Sequence, residues 1–178
     1  MKYSILLAAT LLGGSLVAAP ASATNLVSNG DFETGNFTGW TQGGNTASTG
    51  VESGNPFGGI YSAYFGPTKS AGYIEQRLAT KAGTRYVLSF ALANDKATPN
   101  FFSASINGVA IKSLTNSPAF AYRLEIFKFI ADANGSSVLR FTFKHKPEQT
   151  HFHLDNVVVE EDIAVPPAGT VLEPSTPR

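Results

Sequence analysis

The stretch HFHLD near the C-terminal end of the chain spaces His151, His153 and Asp155 two residues apart. In a β-strand these three side chains would point to one face, because successive side chains alternate between faces. Two imidazoles at this spacing can bind a transition metal, with Asp155 or the nearby His145 as the third ligand. The same pattern is more common on an ordinary solvated strand face, so we expect no metal there.

Residues arranged for catalysis are otherwise scarce. The chain has no G-x-S-x-G motif that would mark one serine as a nucleophile. Glycoside hydrolysis needs two facing carboxylates, whereas Glu160, Glu161 and Asp162 are neighbours at the end of a predicted strand and fit a solvated terminus. The absence of cysteine excludes thiol chemistry and disulfides. We therefore expect that the protein is not an enzyme.

The two ends of the chain differ from its middle. Residues 1–23 contain Lys2, an apolar run and a final Ala-Ser-Ala triplet, which is the layout of a secretory signal peptide. A transmembrane anchor is the alternative, but the apolar run is short for a membrane span. We expect a secreted protein, extracellular, at the cell surface or periplasmic, with one domain over residues 24–161. Residues 162–178 are rich in proline and are predicted to form a disordered tail.

Charge excludes two classes of partner. The chain has 13 basic and 13 acidic residues, and removal of a leader that contains Lys2 would leave a net charge near −1. Such a balance gives no electrostatic reason to expect binding to nucleic acid or to an anionic membrane.

The middle of the chain repeats the period-2 pattern of β-strands and has no convincing helical period. Asn107 and Gly108 stand between two alternating arms, which predicts a two-residue type I′ hairpin. With the N-terminal stretch included, we expect about eight or nine strands in an all-β, antiparallel β-sandwich, specifically a jelly roll. The segments that carry the pattern are 61–65, 73–78, 85–93, 101–111, 122–131, 137–146 and 151–160.

Two predicted strands change phase along their length. In the last strand the apolar pairs Phe152/Leu154 and Val157/Val159 are separated by an odd step, which a β-bulge at Asp155-Asn156 would reconcile with one core. A similar slip separates the pair Leu124/Ile126 from the pair Phe127/Phe129.

A family resemblance rests on the order of several motifs. NLVSNGDFETGNFTGW, YIEQRLATKAGTRYVLSFALA, SINGVAI, LRFTF and HFHLDNVVV follow one another over roughly residues 25–159. Together they resemble the CenC-like carbohydrate-binding modules, which are galactose-binding-like jelly rolls. The resemblance implies a non-catalytic domain that recognises a polysaccharide or another glycan.

The same resemblance implies a structural Ca²⁺ where the first segment meets the last strand. The matching acids are Glu33 and Asp155, and Asp31 is a further acid that shares a face with Glu33 if that stretch is extended. Calcium binds six to eight oxygens, and glycine-rich turns offer backbone carbonyls as well. The alternative is that Asp31 forms an Asx-turn, Glu33 is exposed and Asp155 caps its own bulge.

Sugar binding requires aromatic faces beside planar polar groups. The alternation sends Tyr64, Tyr73 and Phe101 away from the core, and Asn94 and Asp95 follow at the end of a strand. These five residues are the predicted ligand-binding set, and the small outward residues of segment 85–93 leave room for a shallow groove. By the resemblance, Trp40 packs at the edge of the core.

A structural or adhesive role is the rival to sugar binding. The same fold can serve in an extracellular matrix or on a cell surface without any sugar site. The tail contains LEPST at residues 172–176, which resembles only one part of the P-E-P sorting signal found in exported proteins with this domain. The apolar span and basic cluster of that signal are missing.

Overall fold

The computed structural model describes residues 24–95, 98–145 and 150–163. Within these residues the chain forms ten strands in two five-stranded antiparallel sheets. Sheet A has the order β1-β4-β9-β6-β7 and sheet B the order β2-β3-β10-β5-β8. The strands are β1 (Thr41–Gly44), β2 (Thr49–Glu52), β3 (Ser62–Phe65), β4 (Gly72–Leu78), β5 (Arg85–Asn94), β6 (Asn100–Ile106), β7 (Val109–Thr115), β8 (Phe120–Ile130), β9 (Ser137–His145) and β10 (Phe152–Glu161).

The two sheets bury their inner faces against each other, as the period-2 pattern predicts. Phe90 from sheet B and Phe102 and Phe141 from sheet A are completely buried and pack ring against ring. Phe65 stacks on Phe143 across the sandwich with a centroid separation of 3.7 Å. Each such side chain contributes about 1.5–3 kcal/mol through removal of its apolar surface from water. The predicted β-sandwich with jelly-roll topology is therefore confirmed.

The predicted bulge in β10 is present. Residues Leu154 and Asp155 pair with Leu92 and Ala91 of β5, and the register then shifts before Val158. Because Asn156 takes up the extra position with a φ of 47°, the residues on either side of the Asp155-Asn156 pair both point into the core. The side chain of Asp155 consequently points away from the core, on the outer face of sheet B.

The second predicted slip is wrong. Strand β8 pairs with β5 in one unbroken register from Ile130 to Arg123. Leu124 and Ile126 simply face outward and are 56% and 58% exposed, whereas Phe129 on the opposite face is buried. An edge strand with an apolar outer face has the same sequence pattern as a bulge, because the pattern does not reveal which apolar residues are covered.

The N-terminal segment is not a strand, so the ten strands differ in part from those predicted. Residues 24–40 form turns, in which Phe32 has a φ of 56°. The short strands β1 and β2, which lie outside the predicted strand segments, are among the ten strands observed. Leu26 and Gly30 hydrogen-bond to the backbone of β10 beyond the point where β3 ends. Trp40 is 7% exposed and donates its indole N–H to the carbonyl of Asn29, in agreement with its expected place at the core edge.

The hairpin between β6 and β7 also agrees with the sequence. Asn107 and Gly108 have φ angles of 51° and 80°, as a type I′ turn requires. Among the described residues there is no helix with the length and apolar character needed to cross a membrane. The predicted leader (1–23), the sorting-like motif (172–176) and nearly all of the predicted tail lie outside the described residues.

Candidate functional site

Part of the outer face of sheet B is covered by the β2–β3 loop, residues 53–61. Its Asn55 carbonyl accepts hydrogen bonds from the hydroxyl of Ser62 at 2.8 Å and from the hydroxyl of Tyr122 at 2.9 Å. The ring of Phe57 packs on that of Tyr122 with a centroid separation of 5.4 Å. Burial raises the pKa of Tyr122 to about 12, so its hydroxyl stays a donor at neutral pH.

Glu33 holds one end of this loop. Its Oε1 accepts the backbone N–H groups of Ile60 at 2.8 Å and Tyr61 at 2.9 Å. Gly59 lies directly beneath the carboxylate with a φ of +66°, and a Cβ atom there would lie 2.3 Å from Oε1. Only glycine satisfies both the backbone conformation and the close approach.

Asp155 holds the other end. Its Oδ2 accepts the N–H groups of Phe57 at 2.8 Å and Gly58 at 3.1 Å, while Oδ1 accepts that of Asn156 at 2.7 Å. The carboxylate is completely buried. Burial raises the pKa of Asp155, the three N–H groups oppose that rise, and the negative charge of Glu33 adds to it.

The two acids proposed for calcium therefore meet at one loop. The negative charge of Glu33 makes a minor contribution to the raised pKa of Asp155, and each carboxylate is bonded to backbone N–H groups of the loop. These backbone N–H groups satisfy part of the hydrogen-bonding capacity of both carboxylates. Asp31 is placed differently: the turn at Phe32 prevents the extended face that it would share with Glu33. Its Oδ1 lies 3.4 Å from the N–H of Glu33, which is the predicted Asx-turn contact.

Asp95, His151 and His153 form a second group, the His–Asp cluster. One ligand atom of each lies within 4.8 Å of the others. His153 Nε2 is 2.9 Å from Asp95 Oδ1, and His151 Nδ1 is 3.8 Å from Asp95 Oδ2. Burial and the neighbouring His153 lower the pKa of His151. The ring of Tyr64 packs edge-on against His151 at 5.0 Å.

The third member of this cluster is not the residue expected from sequence. Asp155 is engaged by the β2–β3 loop, and the buried His145 hydrogen-bonds to Asn94 at 3.0 Å and Thr150 at 2.8 Å. Burial lowers the pKa of His145. Asp95 reaches the histidines because β5 pairs with β10, which brings the end of one strand beside the start of the other. No local spacing in the sequence carries this information.

A cleft of 440 Å³ opens next to the cluster. It lies where the pairing of β5 and β8 shifts between Leu92 and Asn94. The small side chains of Ala93, Ala119 and Ala121 leave open space there. The small outward residues of segment 85–93 had suggested a shallow groove on this side. The lining residues are Asn55, Ala93, Asn94, Asp95, Ala119, Phe120, Ala121 and Tyr122. The sequence reasoning missed Phe120 and Tyr122, which lie at the start of β8, the strand that follows a Ser-Pro turn.

The five residues predicted for sugar binding do not form one site. Tyr73 and Phe101 lie on the outer face of sheet A, whereas Tyr64 and Asp95 lie on sheet B. Asn94 reaches the cleft wall but is 1% exposed, and its amide nitrogen is bonded to the carbonyls of residues 117 and 118. These bonds leave Asn94 little capacity to bind a sugar hydroxyl.

Tyr73 is also committed to protein contacts. Its ring lies across Gly43, where a Cβ atom would come within 2.3 Å of the ring. The guanidinium of Arg140 sits 4.1 Å from the ring centroid and forms an ion pair with Glu75. On the outer face of sheet A, the ring of Tyr73 is therefore already engaged by other residues of the protein.

Several solved structures with the same fold are carbohydrate-binding modules. A family 61 carbohydrate-binding module, TmCBM61 in complex with β-1,4-galactotriose, has a TM-score of 0.66 at 17% identity and covers 78% of this chain and 99% of its own. A family 16 carbohydrate-binding module has a TM-score of 0.57 at 16% identity, with 76% and 99% covered. The CBM22-1 xylan-binding domain of Paenibacillus barcinonensis Xyn10C has a TM-score of 0.55 at 16% identity, with 83% and 100% covered.

The architecture is thus the jelly-roll sandwich of carbohydrate-binding modules. No protein-family model matches the sequence, and no curated protein matches it.

Proposed function

We propose that this protein is a non-catalytic carbohydrate-binding module that recognises a polysaccharide or an oligosaccharide. The observation that carries the proposal is the extent of the structural match. The described domain accounts for 99% and 100% of the chains of two binding modules, which leaves no part of them for a separate catalytic domain. The secreted location and the CenC-like type remain part of the proposal and rest on the sequence.

The cleft beside Asp95 is the proposed sugar site. Its volume lies in the range of known ligand sites. It is lined by the aromatic residues Phe120 and Tyr122, whose rings also contact Arg123 and Phe57, and by the carboxylate of Asp95. Aromatic rings and carboxylates are the two kinds of group that bind the faces and the hydroxyls of a sugar. The outer face of sheet A, with Tyr73 and Phe101, is the competing surface.

The proposed calcium ion serves stability rather than recognition. Glu33 and Asp155 would hold it at the β2–β3 loop, whose Asn55 carbonyl forms part of the cleft wall. An ion there would fix the loop and so preorganise the cleft, because ordering a loop before binding removes an entropic cost. Asp31 is a possible auxiliary ligand only through movement of its turn.

The test fills the cleft without removing any contact. Ala121 is exposed and lines the cleft, so Ala121→Trp places a large side chain in the sugar site. The matched control is Ala110→Trp, because Ala110 is also exposed on an edge strand but belongs to sheet A. Binding is measured by isothermal titration against β-1,4-galactan oligosaccharides and xylan oligosaccharides, after a glycan array has identified a ligand.

We expect Ala121→Trp to weaken binding by at least tenfold and Ala110→Trp to leave it unchanged. Phe101→Ala locates the alternative surface: if it abolishes binding while Ala121→Trp does not, the sugar binds to sheet A. Absence of binding across the whole array contradicts the proposed function and favours the structural or adhesive role.

A further inference from the structure

We propose that Asp95, His151 and His153 bind a transition-metal dication such as Zn²⁺, with Glu52 orienting His153. This site is separate from the proposed calcium pair and does not depend on sugar binding. It lies at one end of two interior strands of sheet B, where the end of β5 meets the start of β10.

The distances suit a metal of this size. Zinc bonds to nitrogen and oxygen at about 2.0–2.2 Å, so two ligand atoms in a tetrahedral shell lie about 3.3 Å apart. The separations of 2.9 Å from His153 Nε2 to Asp95 Oδ1 and of 3.8 Å from His151 Nδ1 to Asp95 Oδ2 fall on either side of this value, and the ligand atoms of all three residues lie within 4.8 Å of one another. Side-chain shifts of up to about 1.5 Å would therefore bring the three ligand atoms to this spacing.

The backbone around the cluster keeps the ligands in place. The N–H of Asp95 donates to the carbonyl of His151 at 3.0 Å, and the N–H of His151 donates to Asp95 Oδ2 at 3.2 Å. His153 is paired with Ala93 of β5 on one side and Tyr64 of β3 on the other. Metal sites built on paired strands need little reorganisation to bind.

An independent observation comes from the other nitrogen of His153. The His153 side chain is 5% exposed, and its Nδ1 is buried without a hydrogen-bond partner among the described residues. The nearest carboxylate oxygen, Glu52 Oε1, lies 3.7 Å away. In the neutral, metal-free ring, the hydrogen bond to Asp95 favours the tautomer with the proton on Nε2. Nδ1 is then a buried acceptor without a hydrogen-bond partner among the described residues.

Metal binding resolves that problem. A metal on Nε2 moves the proton of the neutral ring to Nδ1, which then faces Glu52 as a donor. Ligating histidines almost always give their second N–H to a carboxylate or carbonyl in this way. The Glu52 carboxylate, the His153 imidazole and the metal would then form a continuous series of contacts from β2 to the surface.

The donor set also selects the kind of ion. Two imidazole nitrogens and one carboxylate favour Zn²⁺, Ni²⁺, Cu²⁺ or Co²⁺, whereas Ca²⁺ and Mg²⁺ prefer oxygen ligands alone. Three protein ligands leave a fourth position open. Asp95 also lines the cleft, so a water molecule or a ligand hydroxyl in the cleft could complete the shell.

The experiment uses untagged full-length protein stripped with EDTA, so that the histidines of a tag do not compete. Zinc chloride is titrated calorimetrically, and Co²⁺ replaces it as a spectroscopic probe of tetrahedral geometry. We expect one Zn²⁺ per chain, visible Co²⁺ absorption bands typical of a tetrahedral site, and an increase in melting temperature on zinc addition.

His151→Gln and Asp95→Asn should each weaken zinc binding by about 100-fold or more, and Glu52→Gln by about 10- to 100-fold. Glu33→Gln is the matched control, because it makes the same change at the calcium pair and should leave zinc binding intact. His151 is partly exposed, so its variant should fold, and its melting temperature without metal checks this. The proposal is overturned if zinc binding does not saturate at one ion, or if His151→Gln and Asp95→Asn bind zinc like the wild type.

Discussion

Asp155→Asn tests the way in which the β2–β3 loop is held. The aspartate accepts three backbone N–H groups, two on Oδ2 and one on Oδ1. An asparagine of the same shape keeps only one acceptor oxygen and turns an NH₂ group toward at least one donor. A buried donor without an acceptor costs about 1–3 kcal/mol.

Two further effects modify this figure. The hydrogen bonds that remain lose their charge assistance, which weakens each by roughly half. In the other direction, asparagine removes a buried negative charge and its repulsion with Glu33. Because these effects oppose each other, we expect a net loss of about 1–3 kcal/mol in the free energy of unfolding.

The assay is urea unfolding at neutral pH in EDTA, followed by the fluorescence of Trp40. This is the only tryptophan in the chain and is buried at the core edge, so its emission reports unfolding directly. Asp31→Asn is the control, because the exposed Asp31 makes only one long contact and should change stability by less than about 0.5 kcal/mol. Equal stability of Asp155→Asn and the wild type would refute the loop-anchoring argument.

Two other predictions concern the same loop. Calcium should raise the melting temperature of the protein above its value in EDTA, and this increase should be smaller in Glu33→Gln. The increase requires an ionised Asp155. It should therefore be present at pH 7 and be lost as the pH falls through the raised pKa of Asp155. A calcium response that Glu33→Gln leaves unchanged would count against the site. In chemical unfolding, Gly59→Ala should cost about 1–3 kcal/mol more than Gly83→Ala. Both glycines have positive φ, but only at Gly59 would the new methyl group displace the Glu33 carboxylate from its two N–H donors, each bond being worth about 0.5–1.5 kcal/mol. Equal losses would contradict the close approach to Glu33.

Much of the fold was predictable because the period-2 pattern reports which side of a strand is buried. The odd step between Leu154 and Val157 predicted a bulge, and this prediction is confirmed because both residues are completely buried. The same reasoning was wrong for Leu124 and Ile126, which are exposed on an edge strand. Periodicity separates two faces but does not show which neighbour covers them.

The candidate sites were predictable only in part. Glu33 and Asp155 were paired through a resemblance to a family, and the structure brings both to one loop. The sugar-binding set was divided between two sheets, because alternation places a side chain outside the core without stating on which side of the sandwich it lies. Asn94 shows the same difficulty, since a polar residue at a strand end can equally turn inward and bond to the backbone.

The sequence by itself determined the β-sandwich, the hairpin at Asn107-Gly108 and the bulge, all of which depend on neighbours along the chain. Only the tertiary structure placed Asp95 beside His151 and His153. These residues lie on different strands, and their contact depends on the pairing of β5 with β10 rather than on any spacing between them. Local patterns encode backbone conformation and burial, whereas a cluster of ligands depends on strand order and register, which the whole sheet decides.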